Sequence, residues 1–247
     1  MNQLLQNPAA GTPLYDSATL VTPAINWARG QLAVETECCR ILGTITLTVS
    51  QRNYNFSAIN TGVSNGIAGV MNVREALYGV ASGYKWMRAR PWPWFWMLKL
   101  NNPVPPSGPP TVWSQFGQGS AGAGTSTGVG SGTLSSGSFY VDPIPDLAYS
   151  LLLDCSCYPS ALTSDSDFEA IPYTFTDAVP FLAAYWVLLT AQTGQRQADA
   201  MRMMDQYKEF VSRANQASAP NVNRYLYERQ SDPSTINKLG VQKATGG

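Results

Sequence analysis

Gly43-Thr44-Ile45-Thr46-Leu47-Thr48-Val49 is the stretch at which this sequence changes its period. Before it, Ile25, Ala28, Leu32, Cys39 and Leu42 recur at helical intervals and draw one apolar stripe. Thr22 stands where an N-cap belongs, and Pro23 at the first helical position, where its missing N–H costs nothing. Gly43, able to take positive φ, is read as the stop. From Thr44 to Val49 polar and apolar residues alternate, which is the pattern of a half-buried strand. The chain is therefore expected to pass from helix to sheet at Gly43.

Downstream of that joint the β pattern persists. Gln51-Arg52-Asn53 reads as a turn and Tyr54-Asn55-Phe56 as the returning strand. A second β-prone region spans 67–80. Then comes Trp86-Met87-Arg88-Ala89-Arg90-Pro91-Trp92-Pro93-Trp94-Phe95-Trp96, with four of the seven tryptophans. Prolines 91 and 93 exclude a helix interior, so the stretch is expected to be extended, with Trp92, Trp94 and Trp96 on one side. Such a row could be a carbohydrate platform, a base-stacking platform or a hydrophobic anchor. Stacking platforms sit in charged grooves, so a packed core or a subunit contact is the better reading. After a proline-rich loop at 101–110, strands are expected at 111–116, 138–141 and 147–155. Between the first two, residues 117–137 hold eight glycines and five serines. This loop contains no lysine and precedes no helix, so it is neither a P-loop nor a dinucleotide fingerprint. It reads as the tip of a long hairpin.

The last third is helical. Asp177 can cap a helix with Pro180 in its first turn. Residues 178–189 are apolar nearly all round, as in a helix buried on most sides. A second helix over 196–217 carries Ala200, Met203, Met204, Tyr207, Phe210, Val211 and Ala214 on one face. The short link makes the two antiparallel neighbours. Beyond Pro220 lies a polar tail holding Tyr225 and Tyr227.

Composition limits the function. The chain has 247 residues, and only 13% of them are charged, 16 basic and 16 acidic, against roughly 25% in an ordinary soluble chain. A surface so poor in charge is covered by neutral polar groups or buried against partners. Zero net charge gives no electrostatic drive toward phosphates and little self-repulsion between copies. Histidine is absent, which removes the usual general base, the usual metal ligand and the Ser–His and Cys–His dyads. Cys38, Cys39, Cys155 and Cys157 lack zinc-site spacing and read as buried apolar fillers. Asp165, Asp167 and Glu169 lack the calcium-loop pattern. Glu35, Glu37, Asp142 and Asp154 could supply a glycosidase pair, but nothing in their spacing selects one. Ser156 has neither a nucleophile elbow nor a base. No catalytic residue, cofactor or metal is expected. No apolar run approaches a membrane span of ~20 residues, and residues 1–10 lack the pattern of a signal peptide. The expectation is a chain made and assembled in cytoplasm.

The segments Pro110-Thr111-Val112-Trp113-Ser114-Gln115, Phe139-Tyr140-Val141-Asp142-Pro143-Ile144-Pro145-Asp146, Tyr158-Pro159-Ser160-Ala161-Leu162, Glu169-Ala170-Ile171-Pro172 and Asp177-Ala178-Val179-Pro180, closing on the two helices, resemble the head-to-tail adaptor (connector) proteins of short-tailed bacteriophages. The resemblance implies an α+β fold: an antiparallel helix bundle from 1–43 and 157–220, an inserted β-rich lobe over 44–156 with the Gly/Ser loop at 117–137, and a C-terminal tail over 221–247. It implies a structural virion protein of the neck region. Such a protein would form a ring, typically of twelve copies, between the portal protein and the tail nozzle or hub. DNA would pass its lumen without sequence recognition, and the tail would lie against the portal. Trp92, Trp94, Trp96, Tyr225 and Tyr227 are the expected partner-contacting residues. The alternatives are a virion-associated cell-wall hydrolase and a tail or fibre-attachment protein.

Overall fold

The computed structural model describes residues 4–5, 17–62, 66–80, 83–97, 106–117, 137–164, 166–190 and 194–218. Most of the Gly/Ser loop and all of the tail with Tyr225 and Tyr227 lie outside the described residues.

Helix α1 spans Thr22–Thr36 and follows one π-helical turn at Ser17–Val21. Thr22 is its first residue, not its cap, and Pro23 sits in the first turn as expected. The helix ends before the predicted stop. Glu37 takes the left-handed conformation (φ 50°), and its N–H donates back to the Ala33 carbonyl at 2.9 Å. Two residues later the Cys39 carbonyl already accepts from the Cys157 N–H of a strand. Gly43 therefore lies inside strand β1 (Arg40–Thr46). What it supplies there is space, because a Cβ would stand 2.6 Å from Ile59 Cγ2.

Among the described residues, eight strands build two sheets. Strands β1, β3 (Ile67–Val80), β4 (Gly83–Trp86) and β8 (Ser150–Pro159) form the first, in the order β1-β8-β3-β4. All its pairs are antiparallel. Strands β2 (Asn53–Asn55), β5 (Arg88–Ala89), β6 (Val112–Phe116) and β7 (Ser138–Asp142) form the second, in the order β2-β7-β6-β5. The predicted hairpin is present: β6 and β7 pair antiparallel from Val112↔Asp142 to Phe116↔Ser138, with the Gly/Ser loop between them. At its base a Cβ on Gly137 would stand 2.3 Å from the Phe56 ring, so glycine is required by close approach. The inner faces of both sheets meet in one core, with Leu151, Leu153, Cys155, Val70 and Val73 opposite Trp113, Phe139 and Val141. The sheets thus form a sandwich whose two outer faces look in opposite directions.

The remaining helices are α2 (Trp92–Phe95), α3 (Tyr173–Thr176), α4 (Val179–Thr190) and α5 (Gly194–Ser218). They place the predicted final pair correctly, and Phe181 near the start of α4 stacks on Phe210 near the end of α5 at 5.0 Å, as antiparallel neighbours must. Helix α4 packs on α1 and α5. Alanines 24, 28, 33, 183, 184 and 200 are all fully buried, which lets the backbones approach closely.

The expected antiparallel helix bundle with an inserted β-rich lobe is corrected by this architecture. The fold is mixed α/β, with two four-stranded sheets, and no helix bundle is evident among the described residues. Two causes are visible. The residues that seemed to extend α1, Cys39 and Leu42, belong to the entry of sheet one, and α1 leans on β8 as well as on α4. The Trp86–Trp96 stretch is also not one extended segment: it contributes β4, β5 and the single turn α2.

Candidate functional site

Proline explains both the expectation and its failure at the tryptophan stretch. Pro91 precedes α2 in an extended conformation (φ −64°, ψ 146°) and serves as its N-cap residue. Pro93 falls in the first turn, where no donor is needed. The chain therefore turns helically, and the three tryptophans do not share a side. Trp92 and Trp96, four residues apart, meet at a tilt with ring centroids 6.1 Å apart. Trp94 points elsewhere, under the Arg90 guanidinium, which stands 5.2 Å from its ring centroid.

Helix α2 rests on the outer face of sheet two. Phe95 is its buried anchor, fully covered and 6.0 Å from Tyr140. Trp92 is the hub: its ring lies 4.7 Å from both Phe116 of β6 and Tyr140 of β7. Inner positions of these strands, Phe139, Val141 and Trp113, fill the sandwich core, so alternation sends Phe116 and Tyr140 outward. The result is an open groove of about 650 Å³ lined by Trp92, Pro93, Trp96, Met97, Phe116 and Tyr140. Trp96, Met97 and Phe116 are each more than half exposed. No lining residue carries a charge, and the groove holds no acid–base pair. Its chemistry is burial of an apolar or aromatic group. Of the predicted contact residues, the structure brings Trp92 and Trp96 together here and directs Trp94 away. Phe116 and Tyr140 were not singled out from sequence, because they reach the groove only through strand pairing.

A second, polar recess of about 300 Å³ lies beside α1, lined by residues that include Thr22, Asn26, Asp167 and Glu169. Beneath it Arg29 is 1% exposed, and each of its three guanidinium nitrogens has an acceptor. Nε and Nη2 donate to the Glu169 carboxylate at 2.7–3.2 Å, and Nη1 donates to the Ser160 carbonyl at 2.6 Å and to Asn26 Oδ1 at 3.2 Å. The Asn26 amide in turn clasps the backbone of Leu162. Asp167 accepts the N–H groups of Thr163 and Ser164, which holds its carboxyl below the usual range. These groups pin the loop after β8 to α1.

The carboxylates considered for hydrolysis are dispersed and engaged. Asp142 pairs with Arg52, Asp154 with Arg40 and Glu37 with Arg74, while Glu35 accepts the Tyr207 hydroxyl at 2.5 Å. Burial pushes the Tyr207 phenol up, with Glu35 adding to the effect. Among the described residues no cluster of metal-ligating side chains occurs, and no helix is long and apolar enough to cross a membrane. Burial pushes the Cys155 and Cys157 thiols up to about 12, as befits core fillers. Cys38, half-buried, is lowered to about 7, mainly by the hydrogen bond from the Cys39 thiol.

In comparison with known proteins, residues 2–229 match the family model described as SU10 adaptor protein. No curated protein matches the chain.

Proposed function

Because the chain belongs to the SU10 adaptor protein family, a structural family of bacteriophage virions, we propose that it is a ring-forming adaptor of the virion neck, joining the portal to the tail. The family match over nearly the whole chain carries this reading. Copies associate with one another, typically twelve to a ring, and the ring docks between the portal protein and the tail nozzle or hub. DNA passes through the lumen without sequence recognition. The charge balance supports that part, since a conduit works by weak and diffuse contact and not by counterion release. The segment 221–247, with Tyr225 and Tyr227, is assigned to the portal side.

Physical chemistry supports a role in assembly. A groove lined by four aromatic residues and a methionine is a poor surface to leave in water, and aromatic anchors dominate binding energy at interfaces. The reading as a wall hydrolase draws no comparable support, since each carboxylate proposed for it is committed to a structural partner on a different element.

Light scattering coupled to size exclusion tests the proposal, on the chain alone and mixed with the portal protein of the same phage. A closed oligomer, or one that forms on the portal, is the expected result. A monomer that ignores the portal at all concentrations would sink the reading. Removing 221–247 is expected to abolish portal binding while leaving self-association intact.

A further inference from the structure

A second apolar surface lies on the far side of the sandwich from the aromatic groove. Register places it. Leu77 of β3 faces Trp86 of β4 on one side and Leu152 of β8 on the other, and Gly79 faces Tyr84. Leu151, Leu153 and Tyr78 point into the sandwich core, so Leu152, Leu77, Trp86 and Tyr84 point out of it. Trp86 is 65% and Tyr84 56% exposed. Both stand on the edge strand of sheet one, and all four residues of that strand are exposed. This is a protruding surface, whereas the groove on sheet two is recessed.

Resting on the ring reading above, we propose that the aromatic groove of one copy receives the Trp86–Tyr84 face of the next. Three observations carry this. The two surfaces lie on opposite outer faces of one sandwich. A ring closed by head-to-tail contacts needs two different complementary patches on one subunit, whereas a two-fold dimer needs one self-complementary patch. Shape agrees, because a recess of about 650 Å³ lies in the range that encloses a drug-sized group and so admits an indole. Charge agrees as well. Exposed Arg88 and Arg90 adjoin the groove through the chain that leads into α2, while exposed Glu75 lies two residues before Leu77 on the protruding face. Copies stacked groove to face bring these opposite charges to the rim, where they steer association.

Two charge-introducing variants at exposed positions test the proposal. Trp86→Lys places a cation on the face that meets Arg88 and Arg90, and Trp96→Glu places an anion in the groove that meets Glu75. Met97→Glu, at a position 68% exposed, is a second groove variant should Trp96→Glu disturb α2. Folding is checked by circular dichroism and thermal melting. Each variant alone is expected to self-associate at least about tenfold more weakly than the wild type, by light scattering. The decisive sample is their equimolar mixture. Each chain retains one intact surface, so the mixture is expected to recover association through the one intact contact, to a heterodimer at least. If the wild type assembles and the folded variants assemble equally well, the proposed contact is wrong and the ring reading stands. A mixture that stays monomeric while the wild type forms rings also overturns the contact. A wild-type chain that assembles neither alone nor on the portal overturns the ring and this contact together.

Discussion

The helical core and the sandwich core of this molecule solve burial in opposite ways. Between the helices the packing is small and close, built on fully buried alanines, and it encloses a charge, Arg29. Between the sheets the packing is large and apolar, built on Phe139, Trp113 and Leu153, and its charged groups stand toward the margins as pairs such as Arg52–Asp142. Surfaces with prominent aromatic groups are what the sandwich turns outward on both sides. The contrast suggests a division of labour. A buried, hydrogen-bonded guanidinium fixes one arrangement of α1 against the loop after β8, and the sandwich is the rigid body that presents surfaces. Buried ion pairs add little net stability, but removing one partner is costly.

The comparison breaks most clearly at Phe139. Phe139→Ala is expected to cost about 3–5 kcal/mol, measured by denaturant unfolding. Amide exchange should show the sandwich strands opening before α4 and α5. Simultaneous loss of protection in both regions would mean that the two cores are one cooperative unit. Arg29→Ala is expected to cost about 3 kcal/mol, since it strands Glu169 and the Ser160 carbonyl. The double change Arg29→Met with Glu169→Leu should recover much of that loss, and if it does not, packing by the guanidinium outweighs its charge. Gly137→Ala drives a methyl into the Phe56 ring at the hairpin base and is expected to cost about 1–3 kcal/mol, read as a lowered melting temperature.

The smallest effect separates the thiols. Cys38 is expected to react with iodoacetamide with a midpoint near pH 7, while Cys155 and Cys157 stay silent until the sandwich unfolds. The sign follows from linkage. The folded values of Cys155 and Cys157 lie above the ordinary 9.0, so their burial favours folding below pH 9. That contribution is lost as pH rises from 9 toward 12. The Cys155→Ala/Cys157→Ala variant should lose this alkaline sensitivity, and an unchanged alkaline limb would place its origin elsewhere.

Much of this arrangement was legible in the sequence, and the misses have physical reasons. The β-prone region at 67–80, the hairpin around the Gly/Ser loop and the two final helices followed from local pattern. The end of α1 did not, because Glu37 in a left-handed turn carries no sequence mark, whereas Gly43 carries one and is needed for a different purpose. Two-residue β5 is too short to show a period, and its parallel pairing with β6 is a property of the fold. The prolines of the tryptophan stretch forbid a helix interior but permit a first turn, and that distinction decided the geometry of the groove. Trp92 and Trp96 were therefore visible as candidates, while Phe116 and Tyr140 became partners only through the register of β6 and β7. Sheet one itself rests on β8 pairing with β1 and β3 across more than seventy residues, which no local window contains.

Met87 alone joins the edge strand of sheet one to the edge strand of sheet two, and it is buried in the sandwich core. Trp86 on one outer surface and Trp92 on the other are thus separated by five residues of chain. Tension applied between those two surfaces would run along covalent backbone and not through packed side chains. A subunit wired this way resists being pulled apart across its thickness, where the load path is shortest, and would shear first along the contacts that no backbone crosses.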